Sequence, residues 1–491
     1  MGIRVKDIVE VLAVDSMGGP ADAEIRGLAY DSHQVHDGYL FAALPGARSN
    51  GWTYVADAIA RGATCVLHEE GEPFDPNVTF IRVSNARAAL AAAACVFHGR
   101  PAEHLATIGI TGTNGKTTIA YLVDFLLKKA GRVPGLLGTV AYRIGPREIP
   151  AARTTPESVD LQALLAEMVA ADCTVAIMEV SSHAIVQNRI GGIDYDIGVF
   201  ANLSGDHLDY HGTMENYFDA KSTFMRGLRG GETVATAVVN IDDSWGRRLA
   251  ESGTLAADLV TFGMDADAAV RATDLQLGHD GNRYHVRSAW GEADVRSSLL
   301  GRFNVSNELA ALTVGATMGL DLQAMAGWLH AMPQVPGRLE SVPLDAGYQV
   351  FVDYAHTGDA LRKVLETIRE IAAARIILVF GCGGERDRGK RPEMGRAACA
   401  LADHTILTSD NPRGEDPAQI IHDIVSGFDA GCCYEVIEDR RAAIQNALAM
   451  AADGDIVLVA GKGHEGVQEL ANTVLPFDDH GVINELVNQD A

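Results

Sequence analysis

The chain has 491 residues, 47% of them hydrophobic and 21% charged, with a formal net charge of −25. That length suits about three domains with cores of their own, and the composition is that of a folded chain. The acidic balance excludes a general nucleic-acid-binding surface, so anionic ligands must be met by local basic groups and backbone N–H dipoles.

Residues 1–100 form the first expected unit. Its N-terminus is amphipathic and carries Asp7 and Glu10, without a signal-peptide core. Tyr30-Asp31-Ser32 is its motif-like stretch, followed by the apolar run 39–44 and Pro45-Gly46. Helical and extended patterns then alternate over 56–61, 65–68, 79–83 and 86–97, and Pro101 marks a boundary.

The second unit opens with an apolar run, 107–111, that predicts a buried strand. Gly112-Thr113-Asn114-Gly115-Lys116-Thr117-Thr118 follows, and the spacing from Ile119 to Lys129 predicts a helix. Strand, glycine-rich turn, Lys-Thr and helix is the layout of a phosphate cradle. Backbone N–H groups close on phosphate oxygens, Lys116 supplies a cation, and the Thr117 hydroxyl suits Mg²⁺. The usual cradle has four residues between its glycine and Gly-Lys; this one is shortened to Gly-x-x-Gly-Lys-Thr-Thr. Further strands are expected over 175–180, 197–202, 234–240 and 260–262, with helical patterns between several of them, hence βαβ units and a largely parallel sheet. Glu179 ends one buried run and is the expected second Mg²⁺ anchor. The turn 202–211 holds His207 and His211 among acidic residues; His207 is either a metal ligand or an ordinary hydrogen-bonding side chain. Lys221 sits on a helix that begins near Met214 and reads as a solvated helix lysine. Helical patterns over 304–318 and 322–332 close the unit.

The third unit starts near Val335-Pro336-Gly337-Arg338, with strands expected over 349–353, 375–380, 404–408 and 456–460. Each runs into a polar turn: Asp353-Tyr354-Ala355-His356, Gly381–Asp387 with Arg386, Asp410-Asn411-Pro412-Arg413, and Gly461-Lys462-Gly463-His464-Glu465. Ligands bind at the carboxyl ends of strands in open α/β sheets, so the four turns predict one crevice. The seven cysteines (Cys65, Cys95, Cys173, Cys382, Cys399, Cys432, Cys433) show neither zinc-ligand spacing nor a dense disulfide framework. A reducing, cytoplasmic setting is expected, with Cys432 and Cys433 as buried or idle thiols. No run reaches the roughly 18 apolar residues of a membrane span.

Together these motifs, with Thr154-Thr155-Pro156 and Glu179-Val180-Ser181-Ser182-His183, resemble the Mur ligases, ATP-dependent amide-forming enzymes of peptidoglycan precursor synthesis. The resemblance covers essentially the whole chain and is strongest to the branch that adds the third peptide residue. It implies an α/β fold of three domains, with a central P-loop ATPase-type parallel sheet and a C-terminal Rossmann-like domain. Residues 1–100 would bind the UDP-substrate, 101–334 ATP, and 335–491 the incoming amino acid. The implied substrates are UDP-N-acetylmuramoyl-L-alanyl-D-glutamate, meso-diaminopimelate and ATP, and a monomer is expected.

The implied roles are residue by residue. Tyr30, Ser32, Ala47, Arg48 and Ser49 would meet the uridine end; Arg153, Thr154, Thr155, Ser181, Gln187 and Arg189 would hold the muramoyl-dipeptide. Gly112 to Thr118, with Asn304, Arg338 and Asp353, would bind ATP. Thr117, Glu179 and His207 would serve Mg²⁺, joined by Lys221 as a CO₂-derived carbamate. Arg386, Asp410, Asn411, Pro412, Arg413, Gly461 and Glu465 would bind the amino acid. His33 and Gly358 depart from the usual Arg and Pro. The complete first unit argues against a folate-extending relative. Arg413, a planar partner for a second carboxylate, argues against a lysine-adding one. The diaminopimelate-site cluster argues against a nucleotide-driven switch or binding protein.

Overall fold

The computed structural model describes residues 2–46, 49–231 and 234–489. Three α/β layers follow one another along the chain. The first is a five-stranded sheet in which Gly27–Ala29, Tyr39–Ala43, Ala63–His68 and Thr79–Val83 run parallel and Val14–Gly18 pairs antiparallel at one edge. Helix Ala86–Phe97 covers it, capped by the Asn85 side chain accepting from Ala88 N–H.

The central sheet has eleven strands. Seven are parallel, from Pro134–Leu137 at one side, through Val175–Glu179, Ala106–Thr111, Ile197–Phe200, Thr236–Asn240 and Asp258–Gly263, to Val270–Gly278. Ile108, Ile110, Ile177, Val199 and Val238 are fully buried, since helices cover both faces. This is why these strands read as unbroken apolar runs; burying each such side chain stabilises by about 1.5–3 kcal/mol. Antiparallel hairpins extend the sheet at both ends, Ala141–Ile144 with Arg147–Pro150 and Gly281–Ser288 with Gly291–Ser297. The sequence reading missed both, because their faces are half exposed and carry polar residues. The strand Ala106–Thr111 lies where the chain reverses its progress across the sheet, the position at which such sheets open a crevice.

In the third layer the parallel order is Gln349–Asp353, Ile456–Ala460, Ile376–Phe380, His404–Leu407 and Tyr434–Val436, with Glu340–Val342 antiparallel at the edge. The four strands that carry the polar turns are adjacent and point the same way. A small hairpin, Val467–Leu470 with Thr473–Pro476, follows the last turn. Gly358 is explained by packing: a Cβ there would lie 2.8 Å from Glu393 Cβ.

Two expectations are corrected. Cys432 is not an idle thiol: it is joined to Cys399 across 33 residues, tying the end of helix Lys390–Leu401 to the segment before Tyr434–Val436. That separation carries no sequence signal; the βα connection brings the pair together. Cys433 is exposed rather than buried, its sulfur 3.1 Å from His404 Nδ1. Second, Lys221 on helix Met214–Arg226 is 1% exposed, because the helix packs this face under the phosphate loop. Among the described residues no helix is long and apolar enough to cross a membrane.

Helix Arg302–Thr317 is buried almost all round and carries Glu308 into the core, where Tyr284 Oη donates to it at 2.8 Å and the Ser297 hydroxyl donates to its other oxygen. Burial pushes the Glu308 carboxyl from 4.5 up to about 7 against those two bonds. Between these values the folded chain holds a proton that the unfolded chain has released, so stability falls as pH rises through the window. Glu308→Gln should flatten this fall, read as denaturation midpoints at about pH 5 and about pH 8.

Candidate active site

The phosphate loop is held by its neighbours. Asn202 clamps it from both sides, accepting from Asn114 N–H (2.9 Å) and donating to the Asn114 carbonyl (3.0 Å). Gly115 caps helix Lys116–Lys129 with φ 87°, and a Cβ there would fall 2.3 Å from Asn307 Oδ1. The helix N-terminus therefore opens on the loop, where N–H groups and the dipole favour an anion. Lys116 Nζ folds back onto the carbonyls of Gly112 and Thr113, 2.9 Å each. Burial holds its ammonium below the usual lysine range, with Glu179 and Asp206 opposing.

Thr117 and Glu179 meet as the sequence reading expects. Thr117 Oγ1 donates to Glu179 Oε2 at 3.1 Å, and Arg338 Nη2 donates to the same hydroxyl at 3.1 Å. Thr139, which no motif signalled, donates to both Glu179 oxygens (2.9 Å each) and contacts Thr154 Oγ1 at 3.1 Å. The oxygen donors of Thr117 and Glu179 suit Mg²⁺, which takes one or two protein carboxylates and completes its shell with phosphate and water. Among the described residues no three His, Cys, Asp or Glu side chains converge as a preformed metal cage.

His207 lies beside Asp206 at 3.4 Å, its ring 4.9 Å from that of His183. Burial pushes its pKa down to about 4, leaving a neutral imidazole with a lone pair to offer. Lys221 Nζ donates to the Gly112 carbonyl at 2.8 Å and lies 4.8 Å over the Tyr217 ring. No ion pair with a carboxylate is formed by it among the described residues; burial, then the Lys116 charge, hold its ammonium well below the usual range, with Asp206 opposing.

The ATP-side residues from the third layer close over the loop. Asn114 Nδ2 donates to Asp359 Oδ2 at 3.2 Å, and Arg338 stacks 4.7 Å from the Tyr354 ring centre. Asp353 accepts from Leu339 N–H (2.6 Å) and Ala355 N–H (2.7 Å), and burial pushes it up to about 6. Asn304 donates to the Leu300 carbonyl and accepts from Asn307. The cavity between the layers measures about 640 Å³ and is lined by Thr117, Glu179, His207, Arg338 and Asp353 among others.

Glu157 gathers the residues expected to hold the muramoyl-dipeptide. Arg153, Arg189 and Arg87 pair with it at 2.6, 3.1 and 3.4 Å. Arg189 also donates to Gln187 (2.6 Å) and to the Thr155 carbonyl (3.1 Å), and Thr155 bonds Ser181. Tyr30 reaches this group from the first layer, donating to Asp160 at 2.7 Å. Ser32 and Ser49 stay within the first layer; Ala47 and Arg48 lie outside the described residues.

The third-layer turns converge. Asn411 Nδ2 donates to Glu465 Oε2 at 2.8 Å, while Asn411 Oδ1 accepts from Lys462 Nζ at 3.0 Å. Lys462 is fully buried between Asp410 and Glu465; the sequence reading quoted it without assigning it work. Pro412 fixes the approach to Arg413, whose Nη1 donates to the Gly384 carbonyl. Gly461 has φ 110°, with room for no Cβ beside Asp410. Arg386 is exposed and follows Glu385.

Three family models match the chain: "Mur ligase family, catalytic domain" over residues 24–98, "Mur ligase middle domain" over 110–315, and "Mur ligase, glutamate ligase domain" over 337–463. A UDP-N-acetylmuramoyl-L-alanyl-D-glutamate–2,6-diaminopimelate ligase of Geobacter metallireducens is 43% identical, covering 97% of each chain. The enzyme of that name from Solibacter usitatus is 44% identical, covering 95% of this chain and 94% of that one. A solved structure of a ligase with the same name aligns with TM-score 0.70 at 34% identity, over 100% of this chain and 99% of the other. Gly115→Ala should weaken ADP binding by about tenfold or more, since alanine resists the left-handed backbone and meets Asn307; titration calorimetry reads it.

Proposed function

The chain belongs to the Mur ligase family, and we propose that it joins meso-diaminopimelate to the D-glutamate γ-carboxylate of UDP-N-acetylmuramoyl-L-alanyl-D-glutamate, spending ATP. The observation that carries the choice of amino acid is the meeting of Asn411, Lys462 and Glu465, with Arg413 held on the Gly384 carbonyl, in the turns after three neighbouring strands. Diaminopimelate differs from lysine by a second carboxylate, and Arg413 is the planar cation for it. Lysine would leave that cation unpaired.

The γ-carboxylate attacks the γ-phosphorus of ATP, releasing ADP and leaving an acyl phosphate. The free amine at the L-centre of diaminopimelate attacks the acyl carbon, and the tetrahedral adduct collapses to amide and phosphate. Two anions must approach in the first step. Lys116 and the helix N-terminus behind it stabilise that approach, and Arg338 holds the Thr117 hydroxyl in place. Bound Mg²⁺, held by Thr117, Glu179 and His207, would supply further charge neutralisation at the phosphates. Carbamylation of Lys221 is supported by its burial with no carboxylate partner among the described residues and by its closeness to Lys116, which favour the neutral amine: that amine can add CO₂ and release a proton, leaving a carbamate oxygen ligand in place of a crowded cation. Tyr30, Ser32 and the Arg153–Arg189 group around Glu157 would hold the nucleotide-peptide, and Asn304 and Asp353 the nucleoside side of ATP. A cytoplasmic setting is supported by the proposed use of ATP and a nucleotide-linked substrate.

Phosphate release should depend on ATP, the nucleotide-peptide and an amino-acid acceptor together; release without the nucleotide-peptide, or a kcat/KM for lysine equal to or above that for diaminopimelate, would refute the assignment. Lys116→Ala should abolish ADP formation. Arg413→Ala should raise the KM for diaminopimelate about a hundredfold while sparing acyl-phosphate formation. Lys221→Ala should lose activity and regain part of it with short carboxylates.

A further inference from the structure

Arg413 is held harder than its motif requires. The hairpin strand Val467–Leu470 is laid along turn 410–413 by three bonds: Gln468 Nε2 to the Asp410 carbonyl (2.9 Å), Glu469 N–H to Asn411 Oδ1 (2.9 Å), and Arg413 N–H to the Glu469 carbonyl (3.1 Å). Arg413 adopts φ 51°, a backbone region that a long side chain enters only when its surroundings impose it. That backbone aims its side chain back at the hairpin, where Glu469 Oε2 lies 2.6 Å from Arg413 Nε. On the opposite side Nη1 donates to the Gly384 carbonyl at 3.0 Å. The guanidinium is thus gripped at two points, and its Nε edge is closed to a ligand. The second Nη1 proton and the Nη2 protons form the edge that remains for a carboxylate.

We propose, resting on the functional reading above, that Glu469 is a positioning residue for substrate choice: it fixes the Arg413 guanidinium so that the far carboxylate of the incoming amino acid is met end-on. The alternative to a fixed fork is a mobile one. Arg413 is one-fifth exposed and Glu469 two-fifths, and without that carboxylate the guanidinium would keep one of its two grips, the bond from Nη1 to the Gly384 carbonyl, about which it can turn toward water. The receptor that remains would hold two carboxylates, Asp410 and Glu465, against the single buried cation Lys462, a balance that favours the terminal ammonium of lysine. Fixing the cation in the receptor therefore serves discrimination as much as affinity, because lysine then meets a like charge and leaves the fork unpaired. Glu469 touches Arg413 rather than substrate, and its backbone bonds persist in any side-chain variant.

The test is steady-state kinetics of the full chain, unsubstituted and as Glu469→Ala and Glu469→Gln, with diaminopimelate and with lysine as acceptor. In Glu469→Ala the KM for diaminopimelate should rise about tenfold and the preference over lysine fall about tenfold, with kcat within about twofold and the KM values for ATP and the nucleotide-peptide unchanged. Glu469→Gln, whose amide oxygen still accepts from Nε, should recover part of both losses. An unchanged KM for diaminopimelate would overturn the proposal, and so would a lower one, which would make Glu469 a competitor of the substrate carboxylate. An equal rise in all three KM values would overturn it too, by showing a loosened fold. Failure of the unsubstituted enzyme to use diaminopimelate would instead overturn the functional reading itself.

Discussion

A buried lysine and a half-buried one share one carbonyl oxygen. Lys116 and Lys221 reach the Gly112 oxygen at 2.9 and 2.8 Å, from the first turn of one helix and the middle of another. Two ammonium groups on one acceptor repel each other, and desolvation lowers the pKa of both, of the fully buried Lys221 well below the usual range. The loop is therefore poised for negative charge to arrive. A phosphate would answer Lys116, and a carbamate on Lys221 would remove the second cation altogether. The surrounding groups, Thr117, Glu179, Thr139 and Arg338, form a connected set of hydrogen bonds around the point where that charge would sit.

The same constraint recurs on the other side of the cleft. Lys462, Arg391 and Arg440 are fully buried cations in a strongly acidic chain, and each has carboxylates about it. Lys462 lies among Asp410, Asn411 and Glu465; Arg391 pairs with Glu415 and Asp423; Arg440 pairs bidentately with Asp479 and donates to the Ala460 carbonyl, the residue before the Gly461 turn. Breaking such a pair strands a buried charge, so the turns cannot drift independently. A receptor for a doubly zwitterionic amino acid needs that rigidity, because opposite charges only a few bonds apart must each find the correct partner. Contacts that cross from the phosphate loop to the third layer, Asn114 to Asp359 and Thr117 to Arg338, bring residues of both layers around one cavity.

The motif residues, the α/β class and the strand-end placement of the polar turns were legible because each depends on local sequence. An apolar run that ends in glycine, lysine and threonine marks its own backbone, and Glu179 at the end of a buried run marks its own position. Lys221 was not legible: its helix has ordinary polar spacing, and only the packing of that helix beneath the loop makes it a buried base. Thr139 and Glu157 organise Glu179 and the arginines without belonging to any recognisable spacing. The Cys399–Cys432 pair joins residues that the chain separates by a whole strand and helix.

By itself, then, the sequence determined the phosphate loop, the alternation of strands and helices, and the chemistry available at each strand end, since those follow from residue type and short-range period. The tertiary structure decided which charges would face one another. It put Lys221 beside Lys116, closed Arg338 onto Thr117, and set Glu469 against Arg413 across 56 residues of chain. Electrostatic energy depends on distance and burial, and neither is a property of a residue until the chain has packed around it.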